Sequence, residues 1–395
     1  MEGKRFIHSL KLKNFLSYGS QGEEIEMQPL NVIIGANSSG KSNLIEAMAI
    51  LKAIPTDLLS PIRQGGGTSD FLWKGDNPNP VASISATLDY EGDTPLRYRI
   101  DFTVVGQKLD IVDEAIENKY PFKGNSDVYF FYRYQNGHPV LNIRNNIEGA
   151  RSERSLRRED INSEQSILSQ RKDPYQYPEL TYLNNQFSNI SLYREWHIGR
   201  NSQARMPQKT DLPEHRLLEH GSNLGLVLNN LQYQIGAREV IEKLKKFYDE
   251  AEELAPKIYG GTVQIFIRET GLNQPIPATR LSDGTLRYLF LMALLLDPTP
   301  RPIICIEEPE IGLHPDILPT IAEMLIEASK RTQIIVTTHS DALISSLPVE
   351  SVLVCERDIA GTHLRRLDPN QLKTWLDNYS LGDLWRMGEI GGKRW

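Results

Sequence analysis

The sequence has few cysteines and no long apolar segment. Its 395 residues include two cysteines, Cys305 and Cys355, which excludes a disulfide-stapled scaffold and favours a reducing compartment. The longest apolar run covers residues 288–296, whereas a membrane-spanning helix needs about 20 apolar residues. The opening segment, MEGKRFIHSLKLKNF, lacks the apolar core of a signal peptide. We therefore expect a cytoplasmic protein that does not enter a membrane.

The sequence also lacks an excess of basic residues. It has 44 Lys and Arg against 51 Asp and Glu, a formal net charge of −7. This balance argues against a histone-like protein that coats nucleic acid through bulk charge, although it is compatible with a local basic surface. Hydrophobic residues make up 39% of the chain, so it can bury a core, and at about 150 residues per domain its length suggests two or three domains.

Local patterns divide the chain into several stretches. Strand patterns occupy the first 35 residues, and a helical pattern follows over 41–54. Alternating segments separated by turn signals predict an antiparallel sheet from about 80 to 143. A charged stretch then leads to helical patterns over 214–256. After about 260, short apolar strands alternate with helices, which is typical of a parallel α/β sheet covered on both faces. The outer segments are predicted to form one sheet around the inserted pieces.

A glycine-rich segment predicts a phosphate-binding loop. It fits G-x-x-x-x-G-K-[ST] at every fixed position, and it lies between an apolar strand and a helix. Glycines at both ends of the loop let backbone N–H groups face a polyphosphate. The lysine side chain can reach the β and γ phosphates, and the serine hydroxyl can bind Mg²⁺. We expect nucleotide binding by Gly35, Ala36, Asn37, Ser38, Ser39, Gly40, Lys41, Ser42 and Asn43.

Two further apolar strands end in residues suited to phosphate chemistry. PIICIEE ends in Glu307 and Glu308, and successive strand residues point to opposite sides, so the two carboxylates take different roles. Glu307 is predicted to hold Mg²⁺ and Glu308 to polarise the attacking water. QIIVTTHS reaches His339 at the edge where open α/β sheets bind ligands, and the imidazole can hold the γ-phosphate or the water. The predicted catalytic residues are Lys41, Glu308 and His339, and the predicted metal ligands are Ser42 and Glu307.

The segment RLSDGT precedes another predicted helix. Ser282 or Asp283 is a suitable N-cap, and a helix N-terminus binds anions. Taken alone, this segment is explained equally well by an anion site and by a plain N-cap.

Together these segments resemble the ABC-type ATPases of the RecF/SMC/OLD-like branch. GANSSGKSN resembles Walker A, LSDGT the signature, IICIEEPEIGLHP Walker B with the D-loop, and IIVTTHS the segment with the switch histidine. The chain is similar to compact, defence-associated ATPases of the AAA family in three features. These are the Glu-Glu pair, the Leu-His-Pro segment and the lack of coiled-coil arms.

The resemblance implies an α/β fold, an ABC-ATPase-like head with a mostly parallel P-loop sheet, an antiparallel β lobe and an inserted helical lobe. It divides the chain into four parts. Residues 1–80 would be the N-terminal part of the core with Walker A, and 81–143 the β lobe. Residues 144–260 would be a mostly helical insertion, and 261–395 the C-terminal part of the core with the signature, Walker B, the D-loop and the switch histidine.

The resemblance also implies that ATP and Mg²⁺ lie between two heads. Ser282, Asp283 and Gly284 of one chain would then contact the ATP held by the partner chain, making the active form a homodimer. Asp283 replaces a glycine of the family pattern and Glu307 replaces an aspartate, so we expect a slow, regulatory ATPase. A nucleotide-sensing glutamine is expected after the β lobe, with Gln165 and Gln170 as alternatives.

Two functional hypotheses follow from this resemblance. In the first, the dimerising ATPase regulates a separate effector protein, such as a TOPRIM-like nuclease, in bacterial anti-phage defence. The alternative is a RecF-like repair or recombination ATPase that closes on DNA. The sequence has no nuclease motif, so any cleavage would belong to a separate chain, and DNA or RNA stays open as a further partner.

Overall fold

The structure, a computed structural model, describes residues 3–90, 94–124, 126–135, 137–144, 151–155, 161–194, 196 and 198–392. These residues contain 18 strands and 12 α-helices. The strands are β1 Ile7–Lys13, β2 Glu23–Glu26, β3 Leu30–Ile34, β4 Ala82–Leu88, β5 Leu96–Val105, β6 Lys108–Asn118, β7 Phe130–Gln135, β8 His138–Arg144, β9 Arg151–Ser155, β10 Ile190–Tyr193, β11 Gln208–Lys209, β12 Ala251–Tyr259, β13 Thr262–Glu269, β14 Ile276–Pro277, β15 Ile303–Glu307, β16 Gln333–Thr337, β17 Val352–Asp358 and β18 Gly361–Arg366.

The helices vary from four residues to thirteen. They are α1 Lys41–Ala53, α2 Leu59–Gln64, α3 Thr68–Phe71, α4 Ile167–Gln170, α5 Pro178–Ser188, α6 Leu224–Ile235, α7 Ala237–Lys245, α8 Asp283–Leu295, α9 Leu318–Ser329, α10 Asp341–Ile344, α11 Pro369–Leu376 and α12 Leu381–Met387. No helix in the described ranges is long and apolar enough to cross a bilayer.

The central sheet has the strand order β10-β15-β16-β3-β17-β18. The first five strands are parallel, and β18 runs antiparallel to β17. Every residue of β3 and β16 is buried, because layers of structure cover both faces of the sheet. This burial explains why these strands appear in the sequence as short, nearly continuous apolar runs.

The two faces of the central sheet belong to two separate hydrophobic cores. On β3, Val32 and Ile34 pack in a core with α8 and α9, whereas Ile33 packs in a core with α1 and the antiparallel sheet. The same alternation occurs on β15, where Ile304 and Cys305 belong to different cores. Both cysteines are buried and unpaired. The sheet therefore holds its carboxyl edge, where the candidate site lies, between two packed layers.

A second sheet of eight antiparallel strands has the order β2-β1-β4-β5-β6-β7-β8-β9. A smaller sheet combines β11, β13, β12 and β14 beside α6 and α7. The predicted fold class is confirmed: a mostly parallel P-loop sheet, an antiparallel β lobe and an inserted helical part. The wider division of the chain into 1–80, 81–143, 144–260 and 261–395 stays a prediction.

The strand pairing departs from that division in two places. β1 pairs with both β2 and β4 in the antiparallel sheet, although β1 and β2 precede the phosphate loop. β10 falls inside the segment predicted to be mostly helical, yet it is the edge strand of the central sheet, parallel to β15. Its four residues, ISLY, are too few to establish a periodic pattern, so its place depends on pairing rather than on local sequence.

Candidate functional site

The loop over residues 35–40 joins β3 to α1 and requires glycine at both ends. Gly35 has a φ of +153° and Gly40 a φ of +112°. A Cβ on Gly35 would lie 2.2 Å from the carbonyl oxygen of Cys355, and a Cβ on Gly40 would lie 2.3 Å from Thr362 Oγ1. Any side chain would therefore push the loop away from β17 and β18. This close approach explains locally why the sequence has glycine there.

Residues distant in sequence hold the same loop. The Thr362 hydroxyl contacts the carbonyl oxygen of Ser39 and the hydroxyl of Ser17, each at 2.7 Å. The Asn43 amide donates to Ser17 Oγ at 2.7 Å, and the Cys355 thiol lies 3.4 Å from the Ser39 carbonyl oxygen. The Asn43 amide thus supports the loop, and its predicted contact with nucleotide stays a prediction. The Ser17 and Thr362 contacts are missing from the sequence analysis, because no local pattern signals them.

Lys41 is the first residue of α1 and is 6% exposed. Its Nζ donates to the carbonyl oxygens of Gly35 at 2.9 Å and Ala36 at 2.8 Å. Burial lowers the pKa of the ammonium group, while the nearby Cys355 and Glu308 act in the opposite direction. The ammonium group therefore sits inside the curl of the loop, where phosphate oxygens can replace the two carbonyl acceptors.

Ser42 and Glu307 meet at the carboxyl end of β15. The Ser42 hydroxyl lies beside the Glu307 carboxylate and lowers the pKa of that group. Burial raises the pKa of that carboxyl, and the Arg194 guanidinium opposes the rise. A hydroxyl and a carboxylate are hard oxygen ligands, which fits Mg²⁺ bound together with phosphate oxygens and water. The pair therefore has the chemistry expected of a magnesium site.

Glu308 and His339 come together because their strands are adjacent and parallel. Glu308 has a φ of +47°, and its backbone N–H donates to the Thr337 carbonyl oxygen at 2.9 Å. This left-handed turn at the end of β15 leaves Glu308 Oε1 3.6 Å from His339 Nε2. Left-handed backbone is unusual for a residue with a side chain, and such conformations cluster at functional sites.

These residues line one cleft of about 360 Å³. Its lining combines the loop, the start of α1, and the ends of β15 and β16. The lining residues are Asn37, Ser38, Gly40, Lys41, Ser42, Asn43, Glu308, Thr337, His339 and Arg357. Arg357, whose Nη1 lies 3.5 Å from the Ser38 carbonyl oxygen, was missed by the sequence analysis. Most of the predicted phosphate-site residues are thus neighbours in space.

The predicted signature residues are not among those that line this cleft. Ser282 caps α8, and its Oγ accepts a hydrogen bond from the Thr285 backbone N–H at 3.0 Å. Asp283 forms an ion pair with Arg205, which is 6% exposed. Arg205 also donates to the carbonyl oxygen of Leu281 at 2.5 Å. The charge that Asp283 brings to the N-terminus of α8 is therefore compensated by a buried arginine.

Neither candidate glutamine lines the cleft. The Gln170 amide donates to the backbone carbonyls of Asn162 at 3.1 Å and Gln165 at 2.9 Å. Gln165 itself makes a backbone turn, donating its N–H to the Asn162 carbonyl oxygen. The choice between the two therefore stays open.

A set of contacts around Glu307 and His339 was also missed. The Trp196 indole N–H donates to the Glu307 carbonyl oxygen at 2.7 Å, and Arg287 of α8 stacks on the Trp196 ring. Glu310 accepts hydrogen bonds from the Thr338 hydroxyl and the His339 backbone N–H. One signal was present in the sequence: Arg287 is a lone charge within the apolar helix LRYLFLMALLL.

Comparison with known proteins agrees with this geometry. Residues 30–345 match the family described as "AAA domain, putative AbiEii toxin, Type IV TA system". A segment of 115 residues is 31% identical to the DNA replication and repair protein RecF of Oenococcus oeni, and it spans 29% of this chain and 27% of that protein.

Two solved structures share the fold over nearly their whole length. The SmcHead bound to the C-winged helix domain of ScpA is similar with a TM-score of 0.57 and 16% identity, covering 93% of this chain and 99% of that one. The Smc head domain with an extended coiled coil, bound to the C-terminal domain of ScpA from Pyrococcus furiosus, gives 0.52 and 16%, covering 94% and 98%.

Proposed function

Since the chain belongs to the family described as "AAA domain, putative AbiEii toxin, Type IV TA system", with the fold of an ABC-type ATPase head of the RecF/SMC branch, we propose that it binds ATP with Mg²⁺ and hydrolyses the ATP slowly. The observation that carries this proposal is the meeting of three strand ends at one cleft. The phosphate loop follows β3, Glu308 follows β15 and His339 follows β16, and all three line the same space.

Each side chain then has a distinct task. Lys41 and the loop N–H groups hold the β and γ phosphates. Ser42 and Glu307 hold Mg²⁺, which when bound would offset the negative charge of the phosphates. Glu308 takes a proton from the attacking water, and His339, whose Nε2 lies 3.6 Å from Glu308 Oε1, orients the water or the γ-phosphate.

The active form in this proposal is a head-to-tail homodimer. Ser282, Asp283 and Gly284 lie outside the cleft of their own chain, so they are available to the ATP of another copy. The N-terminus of α8 is suited to a γ-phosphate, because its N–H groups and helix dipole both favour an anion. ATP would contribute part of the interface energy, and assembly would depend on nucleotide.

Within the same proposal, the dimer controls a separate effector protein, such as a TOPRIM-like nuclease, in bacterial anti-phage defence. The family description names a toxin of a toxin–antitoxin system, and the related SmcHead was solved with a domain of another protein, ScpA. The test is copurification of the chain with the product of a neighbouring gene. A chain that purifies alone from its native host, with and without ATP, would count against this part.

Replacing Glu308 with Gln tests the ATPase and the dimer together. The variant keeps the size of the side chain but cannot accept the proton, so ATP should bind, persist and hold the dimer closed. In gel filtration with ATP and Mg²⁺, Glu308→Gln should elute earlier than it does without nucleotide. Glu239→Gln, a change on exposed α7, is the matched control and should behave as wild type. An unchanged elution volume for Glu308→Gln would reject the ATP-sandwich dimer.

A second candidate is a RecF-like ATPase that closes on DNA. The observation that favours it is the 31% identity to RecF over 115 residues. It predicts duplex DNA binding that requires ATP and weakens steeply as salt increases. Titration of labelled duplex DNA at several salt concentrations, with wild type and Lys41→Ala, separates this candidate from the effector-regulating one.

A further inference from the structure

Helix α8, which begins at the predicted signature residues, carries a buried arginine that the proposed reaction does not use. Arg287 lies in α8 and is 5% exposed. Its Nη1 donates to the Ile311 carbonyl oxygen, and Cζ lies 4.3 Å from the centroid of the Trp196 ring. Within the described part of the chain, Nε and Nη2 have no hydrogen-bond partner. Since buried guanidinium groups normally use their N–H donors, the Nε and Nη2 nitrogens of Arg287 are available to another group.

A matching acceptor lies close by in Glu310. Its Oε1 accepts from Thr338 Oγ1 at 2.8 Å and from the His339 backbone N–H at 2.7 Å. Its Oε2 is buried and, among the described residues, lacks a hydrogen-bond partner. The two side chains interact electrostatically without a direct contact. Burial lowers the pKa of Arg287 to about 10, and the charge of Glu310 is the largest influence that opposes this shift.

This arrangement is unfavourable as it stands. Each charged group has lost water without satisfying all its hydrogen-bonding atoms, and a direct contact between them would correct both. The loop of Glu310 also touches the start of α8, since the Gly312 carbonyl oxygen lies 3.1 Å from where a Cβ of Gly284 would be. A displacement of the helix N-terminus is therefore transmitted to this loop.

We propose that Arg287 and Glu310 form an ion pair when ATP closes two copies of the chain, and that this pair positions Glu308 for hydrolysis. The inference rests on the proposed function. Phosphate bound at Ser282 would draw α8 forward and bring Arg287 to Glu310. Glu310 already holds His339, which faces Glu308. Arg287 is thus a positioning residue. Through it, hydrolysis in each chain depends on whether residues 282–284 of that chain contact the ATP held by the partner.

The test compares Arg287→Met, Glu310→Gln and the double variant. Because neither residue lines the cleft, ATP affinity and KM should stay within about 3-fold of wild type, while kcat falls by about 10-fold or more in each single variant. The double variant should be no slower than either single one, because both changes remove the same contact. Without nucleotide, Arg287→Met should melt at the wild-type temperature or above it, because an apolar chain replaces a charge with unpaired donors.

Arg366→Met is the matched control. Arg366 is a half-buried arginine whose Nη1 and Nη2 already donate, to the carbonyl oxygens of Glu350 and Glu26 and to Asn31 Oδ1 at 2.7 to 2.9 Å. This control should lose thermal stability and keep its kcat. A parallel loss of melting temperature and kcat in Arg287→Met would instead assign Arg287 a purely structural role.

Failure of this inference can be separated from failure of the proposed function. If Glu308→Gln abolishes hydrolysis while Arg287→Met leaves kcat unchanged, only the inference is overturned. If wild type does not hydrolyse ATP, the proposed function fails. The inference is then tested by thermal unfolding of the Arg287 and Glu310 variants made in the Glu308→Gln background. Coupling between Arg287 and Glu310 in a double-mutant cycle should then be larger with ATP than without it. Equal coupling in both conditions would refute the ion pair.

Discussion

Replacement of Gly40 by alanine tests whether the shape of the phosphate loop determines ATP binding. Gly40 has φ 112° and ψ 10° directly before α1, a left-handed conformation. A Cβ there would lie 2.3 Å from Thr362 Oγ1 and 2.6 Å from Ser17 Oγ. These two hydroxyls hydrogen-bond to each other, and Thr362 also holds the Ser39 carbonyl oxygen. The added methyl group can be accommodated only if these contacts break or the loop moves.

The expected size of the effect follows from the two contributions. A left-handed backbone costs alanine about 1–2 kcal/mol relative to glycine. Breaking the two hydrogen bonds of Thr362 adds about 1 kcal/mol each. Gly388→Ala is the control, because Gly388 has φ 83° and ψ 6° and no atom within 4 Å of its Cβ position. Both variants carry the backbone cost, so Gly40→Ala should cost about 2 kcal/mol more than the control. If this cost falls on ATP binding, it corresponds to a loss of about 30-fold in ATP affinity.

The assay is a titration of each variant with ATP and Mg²⁺ by calorimetry, together with thermal melting. Both variants should lose some thermal stability, and only Gly40→Ala should lose ATP affinity. If Gly40→Ala binds ATP within about 3-fold of Gly388→Ala, the contacts among Ser17, Ser39 and Thr362 do not set the shape of the binding loop, and the reasoning is refuted.

Three further changes have defined outcomes. Lys41→Ala should reduce ATP affinity by about 100-fold or more, measured by calorimetry, since the buried ammonium is the main charge in the loop; retained affinity would contradict its role. Ser282→Arg should keep ATP affinity but lose ATP-driven dimerisation in gel filtration, whereas equal loss of both would contradict a role across the interface. Burial raises the pKa of Glu114 to about 7 from 4.5, so the folded state binds this proton more tightly. The free energy of unfolding should therefore fall by up to about 3 kcal/mol as pH rises from 4.5 to 7. Glu114→Gln should lack this component in denaturant titrations, and an identical pH slope would contradict the assignment.

Sequence reasoning works best in this chain where one segment contains both the fold signal and the chemistry. The phosphate loop combines an apolar strand, two glycines and a helix start, so its presence can be predicted from residues 30–53 alone. Glu308 and His339 were predicted at strand ends, and their proximity follows from the rule that parallel strands end at one edge. The structure brings these groups to one cleft, while their roles in catalysis stay predictions.

The remaining features depend on contacts between distant segments. Thr362 holds Ser39 across a sequence separation of 323 residues, and no periodicity signals such a pair. Arg205 compensates Asp283 from a loop with little regular structure. β10 is too short to be recognised before its partner β15 is known. In each case tertiary packing decides the structure, and packing cannot be read from a local pattern.

The order of strands in the central sheet constrains how the chain is made. Among the strands that the structure describes, β3 pairs with β16 and β17, with Ile334 opposite Leu30 and Val352 opposite Val32, so both of its neighbours are synthesised about 300 residues after it. The antiparallel strands β4 to β6 pair with sequence neighbours and can form early during translation. A nascent chain therefore carries the strand of the phosphate loop with both edges unpaired for most of its synthesis. Unpaired strand edges favour aggregation, and the phosphate loop lacks the contacts that Cys355 and Thr362 make with Ser39 until β17 and β18 have been synthesised.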